Sequence, residues 1–556
     1  MAQCPNCKRS GAPDAKFCDR CGTPLPESTH ISGAHGTNTA FKFGTFLTAL
    51  SNMSINYLKT LIALVLVVLV IIIIALSFTS AGSLNSLSYL KDNELYYTTI
   101  SQVKGKQVSS DLLDGASTIG NLDELVRISN DGKRIFFVDK YDGNGYDLYY
   151  KNTGRLKRES EKLVSDINIY DINDKGNLVT YIKDGGDLYQ HNLRDQSERI
   201  DEDVMTFVVS DNGNNIVYFK VDNEASTYCI DVYQSKGGKT GKSVLTGIES
   251  VCKISDDLKS IYYLQYGTFY KATIGKDPEK IADNVSEVVK IYDSGECYYV
   301  QRDEEGVSSL YYYNGKSELV SNGYYSYEDV ADTSPVIIFC ADISVNDTKV
   351  FAFKVAVKNK TFDIDNGFSF DLNAKGDELR YLVNSDESSQ TTYTLYSCDV
   401  SKNGVSDKKQ IDTEVYSGSF VSEDNYMYFK NYHSETTTGD VYFNDRLVDK
   451  NIYCGYINYN DESNSLVYFT DVNETNDATL MIYKGRKSSK VRDDVYMHSL
   501  IFAPEGEFAF LADYKNGDGT LYICKNKRAK RVDIDVSSIV RFLTNEEYDQ
   551  KIITNI

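Results

Sequence analysis

The sequence contains no tryptophan, seven prolines and five histidines among 556 residues. The prolines lie outside the runs of alternating apolar residues. Interior β-strands require this, because proline cannot donate a hydrogen bond to a neighbouring strand. His191, His433 and His498 lie far apart in the chain. We therefore expect neither a histidine metal site nor a catalytic triad.

Motifs of common enzymes are also missing. No G-x-S-x-G pentapeptide marks a nucleophile elbow. The segment GGKTGKS at 237–243 approaches a P-loop, but the motif needs a glycine where the chain has Lys236. With no catalytic motif in the chain, we expect that the protein is not an enzyme.

Only one long apolar run is present. Residues 61–78 read LIALVLVVLVIIIIALSF, with Ser77 as the single polar residue. A helix over residues 61–81 would be about 30 Å long, which matches a bilayer core. The run predicts one transmembrane helix at 58–81. A cleaved signal peptide is the alternative, but the run begins only after some sixty residues, which favours an anchor.

The charges beside this run predict its orientation. Lys42 and Lys59 precede it with no acid nearby, whereas Lys91 follows it beside Asp92 and Glu94. Basic residues favour the cytoplasmic side of a membrane. We expect a single-pass protein of the cell membrane with a cytoplasmic N-terminus and an extracytoplasmic C-terminal region at 82–556.

The cysteines before the run form two close pairs. Cys4, Cys7, Cys18 and Cys21 follow the pattern C-x2-C-x10-C-x2-C. Two such pairs complete a closed tetrahedral site, which is typical of structural zinc. The segment resembles the short zinc ribbons at the N-termini of many bacterial membrane proteins. We predict a zinc ribbon at 1–27 and a polar linker at 28–57.

The seven later cysteines show no paired spacing, and an odd number cannot all form disulfides. Small buried hydrophobic side chains are their expected role.

Negative charge dominates the long C-terminal region. The first sixty residues hold six basic and three acidic residues, which leaves 53 basic and 77 acidic residues, a net charge of −24. Such a surface repels nucleic acid and anionic lipid, so we expect no nucleic-acid partner.

A short phrase recurs along this region, for example ELYY at 94, DLYY at 147, DVYQ at 231 and TLYI at 520. Ten copies are present, and from the copy at 147 onward they recur at intervals of roughly 40 residues, with one interval of 85 that we interpret as two periods holding a degenerate copy. Turns with Asp-Gly or Asn-Gly lie between the strand-like runs, and a 3.6-residue period is absent. These features predict an all-β propeller of four-stranded blades.

The first hairpin reads Ser129-Asn-Asp131-Gly132-Lys-Arg-Ile135-Phe136. It resembles the S-x-D-G-x-x-I-x-Y hairpin of TolB-like and WD-like β-propeller repeats, although the chain has no WD dipeptide. We count about ten units, which fit one large ring or two tandem rings. The irregular stretch at 321–342 favours two rings joined there.

Acidic residues recur between the second and third strands of successive units, and a propeller places these loops on one face. The residues are Asp139, Asp142, Asp184, Asp222, Glu224, Asp303 to Glu305, Asp386, Glu387, Asp471, Glu474, Asp513 and Asp518. The segments at Asp142 and Asp518 are faintly similar to calcium loops but lack the closing glutamate of an EF-hand. Calcium is a hypothesis here, and solvated hairpin tips are the alternative.

The sequence thus predicts a membrane-anchored protein whose extracytoplasmic propeller serves as a binding, sensing or scaffolding module. An extracytoplasmic protein or a cell-wall ligand is the expected partner. The alternative is a cell-envelope hydrolase or lyase that uses carboxylates of the propeller for acid–base catalysis.

Overall fold

The computed structural model describes residues 86–543, apart from 93, 100–104, 109–125, 142–144, 154–159, 196, 223–228, 344–349, 385–391 and 504–505. The chain divides into two units, Met1–Phe78 and Thr79–Ile556, and every described residue belongs to the second. The described residues of this unit form antiparallel strands that follow one another along the chain in groups of four, and three sheets of seven or eight strands each join two such groups. Each group of four strands is one blade of a β-propeller, which confirms the predicted fold class.

Blades 1 to 6 span the first half of this unit, with the two ends of the chain sharing blade 1. Their strands are β1 (Ser86–Lys91), β2 (Glu94–Thr99), β3 (Lys106–Gln107) and β43 (Ser538–Leu543) in blade 1; β4 (Val126–Ile128), β5 (Arg134–Tyr141), β6 (Tyr146–Asn152) and the first half of β7 (Glu161–Ile172) in blade 2; the second half of β7, β8 (Leu178–Lys183), β9 (Leu188–Asn192) and β10 (Ser197–Asp201) in blade 3; β11 (Val204–Val209), β12 (Asn215–Asp222), β13 (Cys229–Lys236) and β14 (Lys242–Ile248) in blade 4; β15 (Ser250–Ile254), β16 (Ser260–Gln265), β17 (Thr268–Thr273) and β18 (Glu279–Ala282) in blade 5; and β19 (Val285–Ile291), β20 (Cys297–Arg302), β21 (Ser308–Tyr313) and β22 (Ser317–Asn322) in blade 6.

Blades 7 to 11 repeat the same order, and the long strand β31 serves two blades. Their strands are β23 (Tyr324–Val330), β24 (Val336–Asp342), β25 (Phe351–Val357) and β26 (Lys360–Asp363) in blade 7; β27 (Phe368–Leu372), β28 (Glu378–Asn384), β29 (Tyr393–Ser401), the short β30 (Gly404–Val405) and the first half of β31 (Lys409–Phe420) in blade 8; the second half of β31, β32 (Tyr426–His433), β33 (Thr438–Phe443) and β34 (Arg446–Tyr453) in blade 9; β35 (Ile457–Asn460), β36 (Ser465–Thr470), β37 (Asp477–Lys484) and β38 (Ser488–Tyr496) in blade 10; and, after a 3-10 turn at Met497–Ser499, β39 (Ile501–Phe502), β40 (Phe508–Lys515), β41 (Asp518–Lys525) and β42 (Arg528–Val536) in blade 11.

The recurring phrase marks the third strand of a blade. Its apolar second residue is buried in all ten copies, from Leu95 and Leu148 to Ile482 and Leu521. In nine copies the tyrosine that follows stacks on an aromatic residue of the second strand, as Tyr149 does on Phe137 and Tyr311 does on Tyr299. In the copy at 481, Tyr483 lies opposite Leu466 instead. Such cross-strand pairs stabilise antiparallel sheets.

The degenerate copy lies in blade 7. Here Lys354 faces Phe339 across the strand pair, at the position where other blades have the tyrosine. The lysine forms an ion pair with Asp363 instead of a ring stack. The described residues therefore hold eleven blades, and the eleventh is the copy expected within the interval of 85 residues.

Apolar clusters connect the blades into one closed cycle. Each pair of consecutive blades shares a buried cluster, such as the one that joins Leu310 and Tyr312 of blade 6 to Tyr324 and Phe339 of blade 7. The last cluster joins Leu521 and other residues of blade 11 to Leu87 and Tyr89 of blade 1. Strand β43 also pairs with β1, with Ser86 opposite Leu543.

The preference for two tandem rings was wrong. The stretch at 321–342 belongs mainly to the first two strands of blade 7, and it packs on blade 6 through the same kind of cluster as every other pair. Its first strand pair has two bulges, as has the corresponding pair of blade 6. A single ring explains why the clusters run from blade to blade without a break.

The up-and-down order of strands gives the ring two faces. The turn face holds the turns between strands one and two, including Gly132 and Gly176, both with positive φ. In the first of these turns, Asp131 accepts hydrogen bonds from Ser129 Oγ (2.8 Å) and from the backbone of Lys133 (3.0 Å). The loop face holds the loops between strands two and three and the junctions between blades.

Candidate functional site: the loop face of the propeller

The junctions on the loop face share one conformation. A residue with positive φ ends the outer strand, as Asp166, Asp203, Glu414 and Asp494 do, and a buried apolar residue then begins the next blade. Aspartate and asparagine tolerate the left-handed conformation better than most residues. Several blades end in an acidic run, such as ERIDEDV at 198–204, and these runs are therefore junctions with a structural role.

In several of these junctions an aspartate accepts hydrogen bonds from a tyrosine and a lysine of the next blade, and we call this contact the clasp. Asp412 accepts hydrogen bonds from Tyr428 Oη (3.0 Å) and Lys430 Nζ (2.9 Å) of blade 9. Asp201 does the same with Tyr218 and Lys220, at 2.6 and 2.9 Å. Sequence reasoning missed this contact, although a tyrosine follows the aspartate by 16 or 17 positions in these two cases.

The same clasp closes the ring between the two ends of the chain. Asp533 of blade 11 accepts hydrogen bonds from Tyr89 Oη (2.7 Å) and Lys91 Nζ (3.3 Å) of blade 1. Burial alone would raise the pKa of Asp533, but these hydrogen bonds outweigh it and lower the pKa below its usual value. The closing contact is therefore chemically the same as the contacts inside the ring.

The predicted acidic loops do open on one face, but their carboxylates do not converge. Asp184, Asp303 to Glu305, Asp471, Glu474, Asp513 and Asp518 are exposed, whereas Asp139 is buried within a strand. Asp142, Glu224, Asp386 and Glu387 lie outside the described residues. Among the residues that the structure describes, no group of three or more His, Cys, Asp or Glu side chains is placed to hold a metal ion. Calcium binding stays a prediction.

Exposed apolar side chains distinguish one sector of the loop face. Blades 5, 6 and 7 together present Tyr266, Val307, Tyr325, Tyr327 and Phe351 to solvent, and we call these five residues the aromatic patch. Tyr266 is 69% exposed and Tyr325 is 67% exposed, which is unusual for residues of this size. The rings of Tyr325 and Phe351 lie 4.8 Å apart.

Backbone hydrogen bonds connect blades 5 and 6 within this sector. Val285 N, at the start of blade 6, donates a hydrogen bond to Gly267 O in the hairpin tip beside Tyr266 (2.7 Å). Arg302 N of blade 6 donates one to Asn284 O in the junction that follows blade 5 (2.9 Å). Arg302 leads directly into the loop that ends at Val307.

Blades 6 and 7 are connected in the same way. Ser309 pairs with Asn322, and Gly323 O accepts a bond from Asp342 N (2.7 Å), whose strand partner is Phe351. The backbone segments that carry the aromatic patch are therefore connected from blade 5 to blade 7 by hydrogen bonds.

Tyr266 has an unfavourable backbone conformation for its size. Its φ is +48° and that of Gly267 is +70°, which is a two-residue turn with positive φ at both positions. Such turns favour asparagine or glycine in the first position, as in Asn516-Gly517 of blade 11. A tyrosine here costs conformational energy and, being exposed, gains little packing in return.

A small cavity lies on the turn face between blades 10 and 11. Its walls include Ser465, Gly506, Phe508 and Asn526, and inside it Lys525 Nζ lies 2.6 Å from the buried carboxylate of Glu507. Because the cavity is small and the charges of Lys525 and Glu507 neutralise each other, we interpret it as a structural contact between the two blades.

The side chains that resemble catalytic groups also have structural surroundings. His191 Nδ1 lies 2.8 Å from Ser197 Oγ, which also accepts a hydrogen bond from Tyr181 Oη (2.8 Å). Ser197 and His191 are simply opposite each other on β10 and β9. His433 and His498 belong to other blades, as the sequence predicts.

Cysteines of the propeller fill the core, which confirms the sequence interpretation for the described side chains. Cys297, Cys340, Cys398, Cys454 and Cys524 are buried and unpaired, and Cys252 is half-buried. Burial raises the pKa of Cys297, Cys454 and Cys524 to about 12 in each case. These thiols stay protonated at neutral pH and are poor nucleophiles.

The predicted zinc ligands Cys4, Cys7, Cys18 and Cys21, and the apolar run at 61–78, lie outside the described residues. Within residues 86–543, as far as the structure describes them, no helix has the length and apolar character needed to cross a bilayer.

Proteins similar to this chain are found among solved structures. No family model matches the chain, and no curated protein is significantly similar to it. Among solved structures, a eukaryotic initiation factor is 10% identical over 76% of this chain and 98% of its own, with a TM-score of 0.39. The propeller domain of the Trilobed protease from Pyrococcus furiosus is 10% identical over 66% and 96%, with a TM-score of 0.24.

TolB from Acinetobacter baumannii is also similar, with 13% identity over 42% of this chain and 65% of its own and a TM-score of 0.22. The sheets and their packing identify the β-propeller.

Proposed function

We propose that the protein is a single-pass membrane protein that displays its propeller outside the cell as a binding module. The observation that carries the proposal is the uncharged apolar run at 61–78, which is long enough to span a bilayer. The lysines before it favour a cytoplasmic N-terminus. A net charge of −24 after residue 60 suits an exported domain that must stay soluble.

The propeller supports a binding role by its geometry. Ser86 and Leu543, where the described part of the chain enters and leaves the ring, pair with each other at the turn face, because β1 is the second strand of blade 1 and β43 is the first. We infer that ligands bind at the loop face and that the protein is not an enzyme.

Protease treatment of intact, wall-stripped cells tests this topology. An N-terminal epitope should be spared and the propeller should be digested or released, while lysed cells should lose the N-terminal epitope as well. Protection of the propeller in intact cells would exclude an extracytoplasmic module.

We also propose that Cys4, Cys7, Cys18 and Cys21 hold one structural zinc ion on the cytoplasmic side. Four thiolates form a closed tetrahedral shell with no position for a substrate. The purified protein should contain one zinc per chain, and Cys18→Ser should release most of it without changing the unfolding midpoint of the propeller. A metal content unaffected by Cys18→Ser would contradict the assignment.

A further inference from the structure

We propose that the aromatic patch and the acidic loop of blade 6 bind a basic, amphipathic segment of a second protein. The acidic loop is the connection from Asp303 to Val307 between β20 and β21. This inference deepens the proposed function, since it rests on the propeller being a binding module, but it does not depend on the membrane anchor.

The conformation of Tyr266 is the first argument. A bulky residue in the left-handed region costs roughly 1 kcal/mol relative to glycine. The hairpin would form more readily with asparagine, and the exposed ring of Tyr266 contributes little to the core. Residues in a strained backbone conformation that do not add to the packing of the core are typical of functional sites.

The composition of the patch is the second argument. Tyrosine and other aromatic residues dominate binding hot spots because they bury a large area at a small entropic cost. Tyr325 and Phe351 contact each other on blade 7, Val307 comes from blade 6, and Tyr266 comes from blade 5. Exposed apolar side chains gathered in neighbouring blades of one face indicate a protein-binding site.

The charges around the patch identify the kind of partner. Asp303 accepts a hydrogen bond from Val307 N (2.7 Å) and so shapes its own loop. Glu304 and Glu305 are exposed, and no described residue forms an ion pair with either of them. Glu287 and Glu328, on the inner strands of blades 6 and 7, are also exposed. These carboxylates complement lysine and arginine side chains beside an apolar stripe.

The overall charge argues against other occupants. With −24 after residue 60, a second copy of the chain or an anionic membrane would be repelled from this face. A neutral glycan would leave the carboxylates of Glu304 and Glu305 without partners. The patch and its rim together therefore favour a cationic protein segment.

The test uses full-length protein in detergent and a fluorescent eighteen-residue peptide in which lysine and leucine form two opposite helical faces. There are two comparison peptides. One has the same composition in scrambled order, and the other has glutamate in place of every lysine. The amphipathic basic peptide should bind saturably and at least about tenfold more tightly than either comparison peptide.

Four variants locate the binding. Tyr266→Asn should weaken binding by about tenfold while its unfolding midpoint stays the same or rises, because asparagine suits the turn. The double variant Glu304→Gln/Glu305→Gln should weaken binding and reduce its dependence on salt. The matched controls Ile534→Ser and Asp471→Asn/Glu474→Gln, on blades 11 and 10, should bind as the wild type does.

Equal losses in the control variants, or no loss in Tyr266→Asn, would overturn the inference. Tight binding of the scrambled peptide would overturn it as well, because charge alone would then explain the binding. A screen of the same protein against cell-wall fragments separates this failure from that of the proposed function. Saturable binding of a fragment without peptide binding would refute the peptide site and retain the binding module.

Discussion

Single aspartates hold neighbouring blades together. Asp412 and Lys430 are both largely buried, and Tyr428 shares the carboxylate. A buried carboxylate gains from charged hydrogen bonds only while both partners are present. The clasp therefore stabilises the interface between blades 8 and 9 more than an exposed ion pair would.

Replacing this carboxylate should destabilise the propeller. Asp412→Asn keeps the shape but leaves Lys430 without its counter-ion, and we expect a loss of about 1–3 kcal/mol in the free energy of unfolding. Urea denaturation measures the loss. Lys490→Gln, which removes the exposed pair with Asp493, should behave as the wild type does. Equal losses in the two variants would contradict a special role for the clasp.

The clasp should also make stability depend on pH. Burial would raise the pKa of Asp412, but hydrogen bonds from Lys430, Thr413 N and Tyr428 outweigh it and lower the pKa from its ordinary value of 3.8. A lowered pKa stabilises the folded state above pH 3.8, and this contribution disappears as the pH falls through the folded-state value.

The wild type and Asp412→Asn should therefore differ in unfolding free energy at pH 7. The two should converge as the pH falls below about 3.8, because protonation then neutralises the wild-type carboxyl group too. Urea midpoints at several pH values measure the difference. A constant difference down to the lowest pH would show that the charge of Asp412 is irrelevant.

At the scale of elements, the turn between strands one and two also positions the next blade. Asn130 N donates to Asp174 O (2.7 Å), and Arg134 Nη1 donates to Lys175 O (2.7 Å) in the turn of blade 3. Gly176 lies in that turn, and a Cβ there would be 2.8 Å from Ser129 Cβ. Adjacent turns thus fit closely enough that one methyl group matters.

Two glycines make it possible to measure the steric cost of a side chain in this turn apart from the cost of the left-handed backbone conformation. Gly176 has φ of +56° and Gly237 has φ of +62°, but a Cβ at Gly237 meets no atom within 4 Å. Gly237→Ala should cost about 1–2 kcal/mol through the left-handed conformation. Gly176→Ala should cost roughly 1–3 kcal/mol more through the clash. Thermal or urea unfolding of both variants checks the order, which equal costs would refute.

The elements differ in how well the sequence predicts them. Hairpins and third strands are local, so Asp131-Gly132 and the phrase at 147 suffice to predict the first complete blade. Blade 7 is harder to recognise in the sequence, because Lys354 stands where the other copies have the stacking tyrosine. Tyr266 looks like one more strand residue, and only the exposure of its side chain and the φ of its backbone reveal the patch.

At the scale of the molecule, the strand β43 decides whether the ring is closed. Blade 1 receives this inner strand from the C-terminal end of the chain, across a separation that no local pattern reveals. This is why a sequence with about ten recognisable units fits both one ring and two. Ring closure depends on contacts such as Tyr89 with Asp533.

Removing β43 should open the ring at blade 1. A chain that ends after Val536 leaves the edge of β1 unpaired, and we expect rapid proteolysis at β1–β3 and a lower unfolding midpoint. A chain that ends after Leu543 retains the strand and should resist protease as the full chain does. Equal resistance of the two truncations would show that β43 is dispensable for closure.

Closure by the C-terminal strand also sets the order of events during synthesis. The hydrogen bond from Tyr89 cannot form until Asp533, which is 444 positions later in the chain, has been synthesised. At 5–20 residues per second, the ribosome needs roughly 20 to 90 seconds to supply it. The entropic cost of such a long closure grows only logarithmically, so the delay concerns time more than energy. The first blade to emerge from the ribosome is therefore the last to be completed, and its open edge needs protection until then.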